Sequence, residues 1–202
     1  MSINARTLAA TGIMLAAPAF VLNVFAHDGV MPADDLDRVD GAFSLMFMAG
    51  AAFVVAAIFA VRPFPLGRIG RRLMYAEAAM VALAAMWAAM LTVDPDWVES
   101  TVNPAVILGD ASWPLHQAFM LVVGIAALRA KIWPAPERFT LFGPAIGLAV
   151  LALGAGTGID YLAAFGLGLG WTIAGAGVIA VASEGERAEQ AEIEAPRLAL
   201  AR

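Results

Sequence analysis

The chain contains no cysteine. This absence excludes disulfides, thiolate metal sites, haem attached through a Cys-x-x-Cys-His motif and cysteine nucleophiles. Charged residues are also scarce, at 14% of the 202 residues, whereas a typical soluble domain has about 25%. The formal net charge of -5 offers no basic surface for nucleic acid, so we expect no nucleic-acid partner.

Hydrophobic residues make up 61% of the chain, and they are grouped into long runs. A helix needs about 20 apolar residues to cross the roughly 30 Å of hydrocarbon in a bilayer. Six runs reach or approach this length: 8–26, 41–61, 73–93, 113–128, 139–156 and 161–183. They are continuously apolar rather than alternating, which favours helices over a barrel. The prediction is an all-α, polytopic membrane protein in which residues 1–183 form a six-transmembrane-helix bundle in the lipid bilayer and 184–202 form an acidic tail.

The first run has an alternative interpretation as a signal peptide cleaved just before His27. Its apolar stretch is longer than the usual signal-peptide core of about 7–15 residues. We therefore predict a retained membrane helix.

Positive charge alternates along the chain with the predicted spans. Eleven of the 12 Lys and Arg residues fall in the N-terminal segment and in every second segment after it, and only Arg38 falls in the others. Short cytoplasmic segments are enriched in Lys and Arg. We predict N-in/C-in topology, with both termini cytoplasmic, in the cytoplasmic (plasma) membrane of a bacterium. Acidic residues instead crowd the first and second outer segments.

Small residues recur at four-residue spacing in the last two spans. Gly143 and Gly147 share one face of the fifth span, and Gly166 and Gly170 share one face of the sixth. Because lipid tails are as apolar as leucine, membrane helices associate through the close approach of such residues. These two helices are predicted to pack together, and a membrane-protein partner or homo-oligomer is also compatible with small-residue faces.

The chain has two histidines, and both are predicted on the outer side of the membrane. His27 follows the first span and His116 opens the fourth. With carboxylates such as Asp28 and Asp110 they could bind a divalent metal like Zn²⁺, and as a facing pair they could ligate haem. The favoured alternative is structural: an interfacial His27 and a His116 that hydrogen-bonds a neighbouring helix.

Two further polar residues fall within predicted spans. Glu77 is the only carboxylate inside a span, which makes it a proton or cation candidate, and Asn23 needs a hydrogen-bond partner. Glu77 also lies close enough to the inner interface to pair with an arginine, and this is the favoured interpretation. The arginines considered are Arg62, Arg72 and Arg129.

Three functions remain open. The first is non-enzymatic binding or transport of a lipid-like or small apolar ligand, with Glu77, His116 and Asn23 as ligand or proton candidates. The second is an accessory subunit of a larger membrane complex. The third is a metal- or haem-dependent membrane enzyme that uses His27 and His116.

Overall fold

The computed structural model describes residues 4–31, 36–62 and 64–200, and within these ranges the chain is helical with no strand. Residues 32–35 of the predicted acidic segment and 201–202 of the predicted tail lie outside the described residues. The helices are α1 (Ala5–Ala26), α2 (Arg38–Ala60), α3 (Gly67–Val93), α4 (Pro95–Ser100), α5 (Pro104–Ala130), α6 (Ala135–Phe139), α7 (Gly143–Thr157) and α8 (Asp160–Leu200), with a 3₁₀ turn at Thr140–Phe142.

Six segments are long and apolar enough to cross a membrane. They are Ala5–Ala26, Arg38–Ala60, Gly70–Val93, Pro104–Ala130, Ala135–Thr157 and Asp160–Ala188. The prediction of an all-helical protein with six membrane-spanning helices is therefore confirmed.

The helices α5 and α8 extend furthest beyond their predicted spans. The fourth span was expected at 113–128, but α5 begins at Pro104, where the Asn103 side chain accepts a hydrogen bond from the amide of Ala105 and caps the helix. Pro114 lies inside α5 without ending it. At the other end of the chain, α8 continues as one helix past residue 183 to Leu200.

The six spans form a closed ring. Each packs against its neighbours in the order α1, α2, α3, α5, α7, α8, and α1 also packs against α8, which closes the ring. Consecutive spans run antiparallel because the connections between them are short. The interior of the ring is consequently lined by one face of every span.

Glycines bring neighbouring helices into backbone contact. A Cβ added to Gly147 of α7 would lie 2.5 Å from the carbonyl oxygen of Gly166 in α8, and one added to Gly170 would lie 2.6 Å from that of Gly143. In the same way, Gly50 of α2 lies against the backbone of α1. The glycine faces of α7 and α8, which also suggested an accessory subunit, are thus used inside the bundle.

The two ends of the ring differ in charge. We call the end where α1, α3 and α7 finish the acidic end, and the opposite one the basic end. Among the described residues, every Lys and Arg except Arg38 lies towards the basic end. The carboxylates of α4 and the described carboxylates of the α1–α2 connection lie at the acidic end, as does Asp160.

Candidate functional site

The interior of the ring contains an acid and a base in contact. Glu77 of α3 and His116 of α5 are hydrogen-bonded, with 3.3 Å between Oε1 and Nδ1, and both side chains are fully buried. Glu77 lies sixteen residues, or about 24 Å of helix, before Val93 at the acidic end of α3. His116 lies twelve residues, or about 18 Å, after Pro104 at the acidic end of α5. The pair therefore lies deep inside the bundle.

An aromatic ring packs against the Glu77–His116 pair. The indole of Trp171 in α8 stacks on the imidazole of His116, with 5.6 Å between ring centroids and 22° between the planes. Because α3 and α8 are not neighbours in the ring, the chain of contacts from Glu77 through His116 to Trp171 crosses the bundle interior. Gln117, which follows His116 in α5, is also fully buried. We call these four residues the interior polar cluster.

The interior polar cluster has more hydrogen-bonding atoms than partners. Glu77 Oε2, His116 Nε2, Trp171 Nε1 and both amide atoms of Gln117 have no hydrogen-bond partner within the described part of the chain. Buried polar atoms are almost always paired, and an unpaired one costs about 1–3 kcal/mol. The cluster can consequently bind a proton, and it can form further hydrogen bonds with water or a ligand.

A cavity of about 210 Å³ lies between the interior polar cluster and the acidic end. It is formed by α1, α2, α3 and α5 and by the connection after α1, and it combines aromatic, aliphatic and acidic groups. Trp113 is part of its wall and lies one helical turn from His116 and Gln117. The complete lining is Phe20, Asn23, Met31, Leu36, Asp40, Ser44, Trp87, Leu91, Asp110 and Trp113.

A second polar cluster lies at the acidic end itself. His27 follows α1, and its Nε2 is 3.5 Å from Asp37 Oδ2 and 3.7 Å from Asp40 Oδ2. The amide nitrogen of Asn23 donates to Asp40 Oδ1 over 2.9 Å. We call His27, Asp37 and Asp40 the acidic-end triad.

The triad residues change each other's protonation. The hydrogen bond to the backbone carbonyl of Asn23, together with the charges of Asp40 and Asp37, raises the pKa of His27 against the opposing effect of partial burial. The pKa of Asp37 is lowered, first by the hydrogen bond from the backbone amide of Asp40 and then by that from Val39. The negative charges of Asp40 and Asp37 beside the imidazole favour a cation at this place.

The structure separates the two histidines that the sequence had grouped. His27 lies at the end of α1, whereas His116 is about 18 Å of helix inside the bundle. Their described partners differ completely, and none of them is Asp28 or Asp110. Asp28 lies in the turn after α1 with a positive φ of 54°, and Asp110 lies within α5 on the cavity wall.

Glu77 does not have the arginine partner that was favoured. Its carboxylate faces the ring interior and contacts His116, whereas Arg72 of the same helix is exposed at the basic end. No ion pair joins Glu77 to Arg62, Arg72 or Arg129 among the described residues. Asn23 is buried and finds its partner in Asp40.

Four residues of the two clusters were not identified from the sequence. Gln117 and Trp171 were not recognised as interior residues, although Trp171 lies near the middle of its apolar run. Asp37 and Asp40 were counted among the outer carboxylates but were not singled out as partners of His27. Their spacing before an apolar run matches a capping box, and this signal could have placed them together at the start of α2.

These features define a polytopic helical membrane protein whose mainly apolar interior contains a buried polar cluster. Comparison with protein-family models, curated proteins and solved structures found no match to the chain. The functional inference therefore rests on the site itself.

Proposed function

We propose that the protein binds or transports a small, mostly apolar molecule that carries a positive charge, and that this binding is linked to a proton on the Glu77–His116 pair. The observation that supports it is the fully buried contact between Glu77 and His116 in the ring interior. Ionisable residues inside membrane spans are costly, and they commonly mark proton or substrate pathways.

The pair can store an exchangeable proton. A net charge in a bundle interior is unfavourable, so a carboxylate and an imidazole in contact are best accommodated with one proton held between them. A cation that binds nearby compensates the carboxylate and allows this proton to leave. Binding of the ligand and release of the proton are thereby linked.

The cavity at the acidic end supports the choice of ligand. Its aromatic residues Phe20, Trp87 and Trp113 offer π faces that attract quaternary ammonium groups, and Asp40 and Asp110 add negative charge. At about 210 Å³ it is smaller than the roughly 300–1,000 Å³ of pockets for drug-sized ligands. A compact organic cation fits both the size and the chemistry.

We also propose in which membrane the protein lies and how it is oriented there. The Lys and Arg residues concentrated at the basic end favour a cytoplasmic position for that end, with both termini inside, in the plasma membrane of a bacterium. The cavity then opens towards the outer side. This orientation makes the acidic end the place where a ligand from outside arrives.

Calorimetric titration with tetraethylammonium tests the proposal on the purified full-length chain in phospholipid nanodiscs. This probe has a permanent charge, so any proton exchange comes from the protein. Repeating the titration in buffers of different ionisation enthalpy measures the number of protons released. We expect saturable binding with proton release, and in Glu77→Gln a loss of proton release with an affinity at least about tenfold lower, which corresponds to about 1.4 kcal/mol.

The matched control is Asp96→Asn, which removes an exposed carboxylate of α4 outside the cavity and should bind as the unmodified protein does. Two results would overturn the proposal. One is the absence of saturable tetraethylammonium binding. The other is unchanged proton release in Glu77→Gln, which would show that the proton does not come from the Glu77–His116 pair.

A further inference from the structure

The acidic-end triad brings three metal-ligand types of atom together. His27 Nε2 and one carboxylate oxygen each from Asp37 and Asp40 all lie within 4.8 Å of one another. His27 follows α1, and the two aspartates form the first turn of α2, so the antiparallel packing of these helices assembles the triad. The ligand set of one imidazole and two carboxylates suits Zn²⁺ and related divalent ions.

The orientation of the His27 ring is fixed by its other nitrogen. Nδ1 lies 2.9 Å from the backbone carbonyl oxygen of Asn23 and must donate its proton there. In neutral imidazole the lone pair is then on Nε2, which faces the carboxylates of Asp37 and Asp40. Three electron-rich atoms that face each other require a cation between them, either a proton or a metal ion. Metal-binding histidines commonly use this same backbone contact to fix their tautomer.

The distances within the triad favour a metal ion over a proton as the cation between the three atoms. A charge-assisted hydrogen bond from imidazolium to carboxylate is about 2.7–2.9 Å long. The observed Nε2 to oxygen distances are 3.5 and 3.7 Å. Two ligands that each lie about 2.1 Å from one tetrahedral ion are about 3.4 Å apart. The two distances from Nε2 to the carboxylate oxygens are therefore closer to the ligand spacing around one ion than to a direct hydrogen bond.

Hydrogen bonds from the backbone and from Asn23 hold both carboxylates in place. The oxygens that face His27 can still bind another partner. Asp37 Oδ1 accepts from the backbone amides of Val39 and Asp40, which leaves its Oδ2 for another partner. Asp40 is anchored through Oδ1 by the amide nitrogen of Asn23, and its Oδ2 accepts from the amide of Asp37. Such supporting hydrogen bonds orient the first ligands of a metal site.

An independent sign of a missing partner lies next to the triad. Asn23 is only 3% exposed, and its side-chain oxygen has no hydrogen-bond partner among the described residues. The amide nitrogen of the same side chain donates to Asp40, so the unpaired oxygen belongs to a group bonded directly to the triad. A hydrated cation provides water molecules that can donate to this oxygen, whereas a bare proton on His27 does not.

We infer that His27, Asp37 and Asp40 form a three-ligand site for a divalent zinc-class ion, with a fourth position for water. Asp37 is about half exposed, so the fourth position is open to solvent at the acidic end. The zinc inference does not rest on the proposed tetraethylammonium binding, but the zinc site shares Asp40 with the cavity wall.

The test is calorimetric titration of the full-length, chelator-treated protein in detergent with zinc chloride, followed by elemental analysis after desalting. We expect one zinc per chain, and an affinity reduced at least about a hundredfold in His27→Gln. Asp37→Asn should weaken binding at least about tenfold, while asparagine still caps α2, so loss of fold does not explain the effect. A thermal unfolding scan of each variant without metal verifies this.

Asp28→Asn is the matched control. It removes an adjacent carboxylate outside the triad, and asparagine tolerates the positive φ at that position. This variant should bind zinc as the unmodified protein does. Failure of the unmodified chain to retain one zinc, or equal affinity in all three variants, would overturn the inference.

Discussion

Replacement of either member of the Glu77–His116 pair alone should destabilise the bundle more than replacement of both. Glu77→Leu leaves the buried imidazole without its partner, and His116→Phe leaves a buried carboxylate without its partner. The double variant replaces both groups with apolar side chains and leaves neither unpaired. Breaking a buried pair is strongly destabilising, whereas exchanging the whole pair for well-packed apolar groups is often neutral.

The expected loss of stability depends on which of two free-energy costs dominates. Single hydrogen bonds between membrane helices contribute only about 0.6 kcal/mol on average. A buried polar group left without a hydrogen-bond partner costs about 1–3 kcal/mol. Both side chains here are fully buried and have no other hydrogen-bond partner among the described residues, so the second effect should dominate. We expect about 2 kcal/mol for each single variant and less than about 1 kcal/mol for the double variant.

Unfolding in mixed micelles with increasing dodecyl sulfate, followed by tryptophan fluorescence, measures these differences. Glu184→Leu, which removes an exposed carboxylate of α8, is the control and should change stability little. The reasoning is refuted if both single variants unfold like the unmodified protein. It is also refuted if the double variant loses the sum of the single effects, because the two groups would then act independently.

Two further predictions concern packing and orientation. Gly147→Ala should cost about 1–3 kcal/mol because its Cβ meets the Gly166 backbone, whereas Gly156→Ala in the same helix meets nothing within 4 Å and should cost nothing in the same unfolding assay. Because the chain has no cysteine, Ser100→Cys and Ala188→Cys can be labelled singly; an impermeant maleimide should label intact cells at residue 100 only, and the reverse pattern would contradict the proposed orientation.

The sequence predicted the six spans because the bilayer imposes a length and a composition on every crossing helix. The main error in the spans came from α5. The predicted span began at Trp113 and left Asp110 in the preceding segment, whereas α5 begins at Pro104 and includes both Asp110 and Pro114. Proline inside a membrane helix is tolerated when neighbouring groups satisfy the backbone, so Pro114 does not end α5.

That error also concealed the interior site. With a start at Trp113, His116 was predicted at the membrane surface, and Glu77 was predicted near the opposite side. With the start at Pro104, His116 falls deep within α5, and the start of α3 at Gly67 places Glu77 well inside α3. Even correct depths would not have paired them, since the contact also depends on the rotation of α3 and α5 within the ring. Rotation is set by packing at residues such as Gly109, whose added Cβ would lie 2.8 Å from Trp87 Cβ.

The acidic-end triad was only partly accessible for a related reason. Asp28 is adjacent to His27 in sequence, but the turn after α1 directs the chain so that Asp37 and Asp40 approach the imidazole instead. The capping box fixes these two aspartates at the start of α2. Residues at the ends of two neighbouring helices came together here, whereas residues adjacent in sequence did not.

Glu77 and His116 are expected to affect both the stability of the bundle and the proposed function. If the double apolar variant is as stable as we expect, then the bundle does not need this pair in order to fold. Leucine and phenylalanine would fill the same space without unpaired atoms or an ionisable group. The polar pair must then serve something other than packing, and proton-linked binding is the role that its position beside the cavity supports. A double variant that folds, yet neither binds tetraethylammonium with proton release nor regains it at any pH, would separate the two roles directly.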